Sequence, residues 1–202
     1  MDTLEIWKKL QADGYFKKHP DYKLMQFSSQ PNNLPELKHV INRTIIEIGC
    51  GYGRETVALS HIAKKVIAVD VSEYVLNLNS EFVKLYGEPT NVEYVLAKDF
   101  EKIENNCADM VRSNLVFQHI EPERTRQYIE QSRSKLKEGG IVNAQFLAGP
   151  KNENPYVDGN TEPSFPLDES EILEFFSDYK IKNKKGQDFG NGFGHLWIEA
   201  EK

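Results

Sequence analysis

The run Thr44-Ile-Ile-Glu-Ile48 leads straight into three glycines at alternate positions, Gly49-Cys-Gly51-Tyr-Gly53, and then into Arg54 and a helical pattern. This junction constrains the fold more than any other part of the chain. A short isoleucine-rich run without polar alternation reads as a strand buried on both faces, as in a parallel sheet. Glycines directly after it permit positive φ and let a ligand approach the main chain closely. In an open α/β sheet the ligand crevice lies outside the carboxyl ends of the strands, so this turn is the first place to look for a site.

The pattern repeats downstream. A helix is expected over 54–65, with Val57, Ala58, His61 and Ile62 near one face, followed by a strand over 66–69. Ser72 suits the N-cap of a helix carrying Val75, Leu78, Phe82 and Leu85, which Gly87 and Pro89 stop. Further strands are expected over 92–96 and 110–117, with a turn of helix within 99–106. Pro122 opens a helix through Tyr128, Ile129 and Leu136 that should stop at Gly139-Gly140, before a strand over 141–147. Asp168-x-x-Glu171 has the form of a capping box for a helix to about Phe176. Two last strands, 180–188 and 195–201, flank the glycine-rich stretch 190–194. Strand–helix alternation to residue 147 implies an α/β fold: a mostly parallel sheet with right-handed crossovers, helices on both faces and a C-terminal antiparallel hairpin.

With 202 residues, the chain fits one domain that buries roughly 70% of its unfolded surface. We divide it into an N-terminal helical cap (1–35), a ligand-binding core (40–148), a substrate-side loop (149–170) rich in Pro, Asn and Gly, and a C-terminal helix and hairpin (171–202). The net charge of −6 argues against nucleic acid as a partner, and Lys180, Lys182, Lys184 and Lys185 read as a solvated strand rather than a phosphate-binding patch. Cys50 and Cys107 have neither metal-ligand spacing nor a disulfide framework, so no metal is expected and a reducing compartment fits. No stretch reaches membrane-spanning length, and MDTLEIWKKLQ places charges where a signal peptide needs an apolar core. The expectation is a cytoplasmic protein, monomeric or homodimeric, without a membrane partner.

The glycine spacing separates two ligand classes. A dinucleotide fingerprint would place its third glycine at Arg54, whereas this loop is G-x-G-x-G with an acid, Glu47, two residues before the first glycine. That pattern, together with the acids that follow it, resembles class I S-adenosylmethionine-dependent methyltransferases over residues 44–147. The resemblance implies a Rossmann-like seven-stranded sheet and S-adenosyl-L-methionine as cofactor, with S-adenosyl-L-homocysteine as product. It implies a cofactor site formed by Glu47, Gly49, Cys50, Gly51, Gly53 and Arg54, with Asp70 and Val71 after the second strand. Asp99 and Phe100 would lie at the adenine, and the Asn114 carbonyl at the methionine amine. The residues support parts of this on their own. A carboxylate at position 70 can accept bonds from two ribose hydroxyls, although dinucleotide-binding folds use an acid there too. A buried Glu47 demands a partner. Asp99 has a second reading as a cap of the turn that follows it, and Asp109 reads as structural.

Within the resemblance, the stretch Arg112-Ser-Asn-Leu-Val-Phe-Gln-His119-Ile lacks the base-amino and protein-arginine methyltransferase signatures, and no Asp-Asn pair follows strand five as in the metal-dependent catechol type, which leaves a small-molecule acceptor, methylated at O, N, S or another soft atom. His119 is the one titratable group in position to act as a base; equally, it can bond the neighbouring loop and set the start of the next helix. Trp7, Tyr15, Phe16, Tyr22, Tyr156 and Phe165 are available for a substrate lid, although any single one of them reads more readily as packing. Phe193 and Trp197 read either as further lid aromatics or as packing. The alternatives are an NAD-dependent oxidoreductase and a non-catalytic subunit that binds the cofactor without turnover.

Overall fold

A computed structural model describes residues 2–14, 39–87, 89–151, 162–190 and 192–202. The chain forms two compact units, residues 1–103 and 104–202.

In the first unit, β1 (Thr44–Ile48) is buried along its whole length, as its unbroken apolar pattern requires. It pairs in parallel with β2 (Lys65–Asp70), and β2 pairs in parallel with β3 (Val92–Leu96). Before them lies α1 (Thr3–Ala12), whose N-cap Asp2 accepts a bond from the Leu4 amide. Tyr15, Phe16 and Tyr22 of the expected cap lie outside the described residues, as does Tyr156. Helix α2 (Arg54–Ser60) stops five residues short of the expected Lys65. The Asn91 amide explains this: it donates to the carbonyls of Ser60 and Ala63, both at 2.9 Å, and takes up groups that a longer helix would have bonded itself. Ser72 caps α3 (Glu73–Lys84) as expected. The buried face of α3 is Val75, Leu76, Asn79, Phe82 and Val83, whereas Leu85, expected on it, is 76% exposed. Tyr52, Val57, Phe82 and Val83 form one core cluster, with the Tyr52 and Phe82 rings edge to face at 5.6 Å.

In the second unit, β4 (Ala108–Ser113) pairs in parallel with β5 (Leu136–Ala148). Antiparallel to β5 runs β7 (Gly194–Glu201), and β6 (Lys180–Asp188) pairs with β7. Strand four was expected to reach Phe117. It ends at Ser113 because Leu115 takes φ +59°, which a strand cannot continue through, and Phe117–His119 forms a 3-10 turn. Helix α4 (Pro122–Lys135) ends before the expected glycine pair: Leu136 turns to extended backbone and opens β5. Gly139, at φ +72°, sits inside that strand, where the pairing with β4 shifts register. One face of β5 presents Phe146, packed against Phe117, Phe175 and Phe176 at ring separations of 5.6–6.2 Å. The capping box of Asp168 and Glu171 starts α5 (Glu169–Glu174). The wholly exposed β6 is an edge strand whose lysines discourage further pairing.

The strand order is β3-β2-β1 in the first unit and β4-β5-β7-β6 in the second, that of a seven-stranded sheet, mostly parallel with C-terminal antiparallel strands. Among the described residues no helix is long and apolar enough to cross a membrane.

Candidate active site

The first unit gathers the glycine loop and two acids. Gly49, Gly51 and Gly53 all take positive φ, at +71°, +53° and +108°. The amides of Gly49 and Cys50 both donate to the Val69 carbonyl, at 2.8 and 3.0 Å, which ties the loop to the end of β2. At Gly53 a Cβ would come within 3.0 Å of the Asn79 side chain and 3.3 Å of the Phe82 ring, so the position requires glycine on two counts.

Asp70 closes β2 and is buried. Its Oδ2 accepts the Gly51 amide at 3.0 Å. Its Oδ1 accepts the Val71 amide at 2.8 Å, the Gln11 side-chain amide at 3.2 Å and, more weakly, the Ser72 amide at 3.4 Å. Burial pushes the Asp70 carboxyl above its ordinary value, against the opposing pull of these donors. Three of these donors share Oδ1, so of the two lone-pair positions on Oδ2 one is left for a further donor. Gln11 is itself buried, and its Oε1 has no hydrogen-bond partner among the described residues.

Beneath the loop, Glu47 has the partner its burial demanded: Thr56 Oγ1 donates to it at 2.7 Å. Asn79 in turn donates to Thr56 Oγ1 at 2.9 Å and to the Gly51 carbonyl at 3.1 Å. The loop is therefore held from below by side chains of β1, α2 and α3. Cys50, buried within it, has a thiol pushed up by burial and by the negative charges of Asp70 and Glu47. Arg54 is the first residue of α2, and Val71 follows Asp70. Asp99 lies in a 3-10 turn, Ala97–Lys102, that packs beside β2. It pairs with Lys102 at 2.5 Å, and that bond holds its carboxyl below the ordinary value. Phe100 is buried in the core.

Sequence reasoning missed Gln11 and Asn79. A buried polar residue inside the apolar stripe of α3 was a signal for Asn79. Nothing local marks Gln11, which meets Asp70 across 59 positions of chain.

The second unit carries Asn114, directly after β4, and His119. Both ring nitrogens of His119 are engaged. Nδ1 lies 2.8 Å from the Pro163 carbonyl, and Nε2 lies 2.8 Å from the side-chain nitrogen of Gln118. Burial lowers its pKa. Of the expected lid aromatics, Phe165 is placed here, its amide bonded to the Gln118 carbonyl at 2.8 Å, while Trp7 is half-buried on α1. Phe193 lies against Gly149, and Trp197 packs edge to face with His195 at 5.4 Å. Among the described residues no group of His, Cys, Asp or Glu has metal-binding geometry.

The strand order and the glycine-loop site define a Rossmann-like α/β domain of the nucleotide-binding type. Residues 45–140 match the family described as "Methyltransferase domain". That match is consistent with a class I S-adenosylmethionine-dependent methyltransferase. It is 24% identical over 154 residues to phosphoethanolamine N-methyltransferase 1 of Zea mays, a match covering 70% of this chain and 31% of that protein. The chain thus spans about a third of the length of this curated relative. In fold it is similar to an S-adenosylmethionine-dependent methyltransferase of Mesorhizobium loti (TM-score 0.68, 15% identity), over 93% of this chain and all of that one. It is also similar to phosphoethanolamine N-methyltransferase 1 of Haemonchus contortus (TM-score 0.70, 16% identity), over 98% of this chain and 49% of that one.

The residues present fit a nucleoside ligand. Gly53 could not carry a Cβ, the Gln11 oxygen is buried with its acceptor capacity unused, and Asp70 is a buried carboxylate whose Oδ2 has a single donor.

Proposed function

We propose that this chain binds S-adenosyl-L-methionine at the glycine loop and transfers its methyl group to a small-molecule acceptor, releasing S-adenosyl-L-homocysteine. The observation that carries the reading is the buried Asp70 carboxylate, which holds the loop through Gly51 at Oδ2 and keeps one lone-pair position on that oxygen for a ribose hydroxyl. Gln11 Oε1 supplies a second acceptor beside it. Gly49, Cys50, Gly51, Gly53 and Arg54 form the wall of the site, Glu47 orients the loop from beneath through Thr56, and Val71, Asp99 and Phe100 complete it within the first unit. The sulfonium of the cofactor makes the methyl electrophilic, so the chain's own task is binding and alignment. That leaves no requirement for a base, and His119, with both nitrogens engaged, suits the loop-bonding role better than proton abstraction.

The amine of phosphoethanolamine is the first acceptor to test, since the relatives bear that name. A cytoplasmic location suits two cysteines that form no disulfide, and the acidic chain suits a small-molecule partner rather than nucleic acid.

Calorimetric titration with S-adenosylmethionine, S-adenosylhomocysteine and NAD in parallel tests the cofactor. Micromolar binding of the two sulfur nucleosides alone is expected, and binding of NAD alone would overturn the reading. Methyl transfer from labelled cofactor to phosphoethanolamine, against a panel of other small amines, thiols and hydroxyls, then tests the acceptor.

A further inference from the structure

The engaged ring of His119 belongs to a longer chain of hydrogen bonds, all within the second unit. The Leu115 amide donates to Gln145 Oε1 at 2.8 Å. Gln145 Nε2 donates to Gln118 Oε1 at 3.1 Å and, with its other hydrogen, to the Phe146 carbonyl at 3.1 Å. Gln118 Nε2 meets His119 Nε2 at 2.8 Å, and His119 Nδ1 meets the Pro163 carbonyl at 2.8 Å. The two ends are backbone groups whose polarity cannot reverse: a donor at Leu115, an acceptor at Pro163.

That polarity sets every proton in between. The Leu115 N–H and the Phe146 carbonyl together determine which way the Gln145 amide faces. Gln145 must then give a hydrogen to Gln118, so Gln118 turns its nitrogen towards the imidazole. His119 Nε2 has to accept, and the ring hydrogen sits on Nδ1. Starting from the other end, the Pro163 carbonyl requires the same Nδ1–H. An imidazolium would carry a second hydrogen on Nε2, facing the NH2 of Gln118. Flipping Gln118 only moves the donor–donor clash to Gln145, and flipping Gln145 moves it to the Leu115 amide, which cannot flip.

We propose that Gln118 and Gln145 are positioning residues that hold His119 as the neutral Nδ1–H tautomer and, through it, clamp residues 163–165 to the turn after β4. The clamp has a second strand, the bond from the Phe165 amide to the Gln118 carbonyl at 2.8 Å. Its anchor, Leu115, is held at φ +59°, a conformation costly for leucine that the Gln145 bond helps to maintain. Two charged or titratable neighbours act on the device among the described residues: Glu162 favours the imidazolium, while His119 and His195 disfavour each other's protonation. The clamp serves as an anchor for the substrate-side loop, a purpose that rests on the methyl-transfer reading; the relay itself does not.

The test is nitrogen NMR of the full chain labelled with ¹⁵N-histidine and titrated in pH, without cofactor or acceptor. At pH 7 the His119 signals should be those of a neutral ring with Nε2 unprotonated; an Nε2–H tautomer or a charged ring would overturn the proposal. Gln145→Glu reverses the relay. A carboxylate accepts from both Leu115 and Gln118, Gln118 turns its oxygen to the ring, and the imidazolium becomes the satisfied state. The apparent pKa of His119 should then rise by roughly one unit or more, a shift that a merely space-filling Gln145 would not produce. An unchanged pKa in a folded Gln145→Glu protein would overturn the relay, and the wild-type tautomer decides the matter if that variant does not fold. Amide exchange at Phe165 should accelerate in Gln145→Leu; unchanged exchange would remove the clamp. Because cofactor titration is a separate measurement, failure of the relay and failure of the methyl-transfer reading are distinguishable.

Discussion

The Asp70 carboxylate accepts the amide hydrogen of Gly51 at 3.0 Å, so the residue that ends β2 also holds the loop that follows β1. One side chain therefore shapes the site and offers it a charge. Replacing Asp70 by Ala should weaken S-adenosylmethionine binding by at least tenfold, since hydrogen bonds to charged groups are worth about 1.5–3 kcal/mol. Titration calorimetry reads this directly, and an affinity within twofold of the parent would remove Asp70 from the site.

The same group sets a pH dependence. Burial raises the Asp70 pKa, so the proton returns at a higher pH than for an ordinary surface aspartate. The carboxylate is the form that accepts a hydroxyl donor at Oδ2 while holding the amides at Oδ1. Cofactor affinity should be full above that raised pKa and fall as the pH drops through it, and Asp70→Ala should abolish the dependence.

Gln11 reaches Asp70 from α1 with its nitrogen and leaves its oxygen buried and unused. Gln11→Ala should lower cofactor affinity about three- to tenfold, the scale of one neutral hydrogen bond of roughly 0.5–1.5 kcal/mol. Tighter binding would mean instead that Gln11 occupies the place of a ligand hydroxyl.

Gly53→Ala places a methyl group 3.0 Å from Asn79 at φ +108°. Backbone strain at such an angle costs about 1–3 kcal/mol, and the contact adds to it. Thermal denaturation should show a fall in Tm of several degrees; an unaltered melting curve would contradict the loop geometry.

His119 has a pKa lowered by burial, below the 6.5 of a free imidazole. The folded state then binds its proton less readily than the unfolded state. Its contribution to stability is complete above about pH 6.5 and is lost as the pH falls towards the folded value. Urea denaturation at stepped pH should show a steeper acid-side loss in the parent than in His119→Gln.

Much of the fold was legible because its signals are local. The isoleucine run and its glycines marked β1 and the loop, Ser72 marked the start of α3, and Asp168 with Glu171 marked α5. Each works through groups within about four residues of one another. Boundaries were read wrongly where a distant group intervened. Asn91 ends α2 from outside that helix, and strand four ends early because Leu115 is held by Gln145, 30 residues away.

The candidate site divides along the same line. The residue types that suit a nucleoside, glycines at a strand end and an acid after the next strand, are written in the order of the chain, because backbone conformation and strand polarity follow from short stretches of sequence. By itself the sequence determined the α/β architecture, the cofactor class and the glycine turn that follows β1. Only the tertiary structure decided that Gln11 meets Asp70, that Asn79 supports Gly51 through its carbonyl, and that His119 has no ring nitrogen to spare. A side chain's donors and acceptors are satisfied by whatever packing brings within 3 Å, and for buried polar groups those partners come from anywhere in the chain.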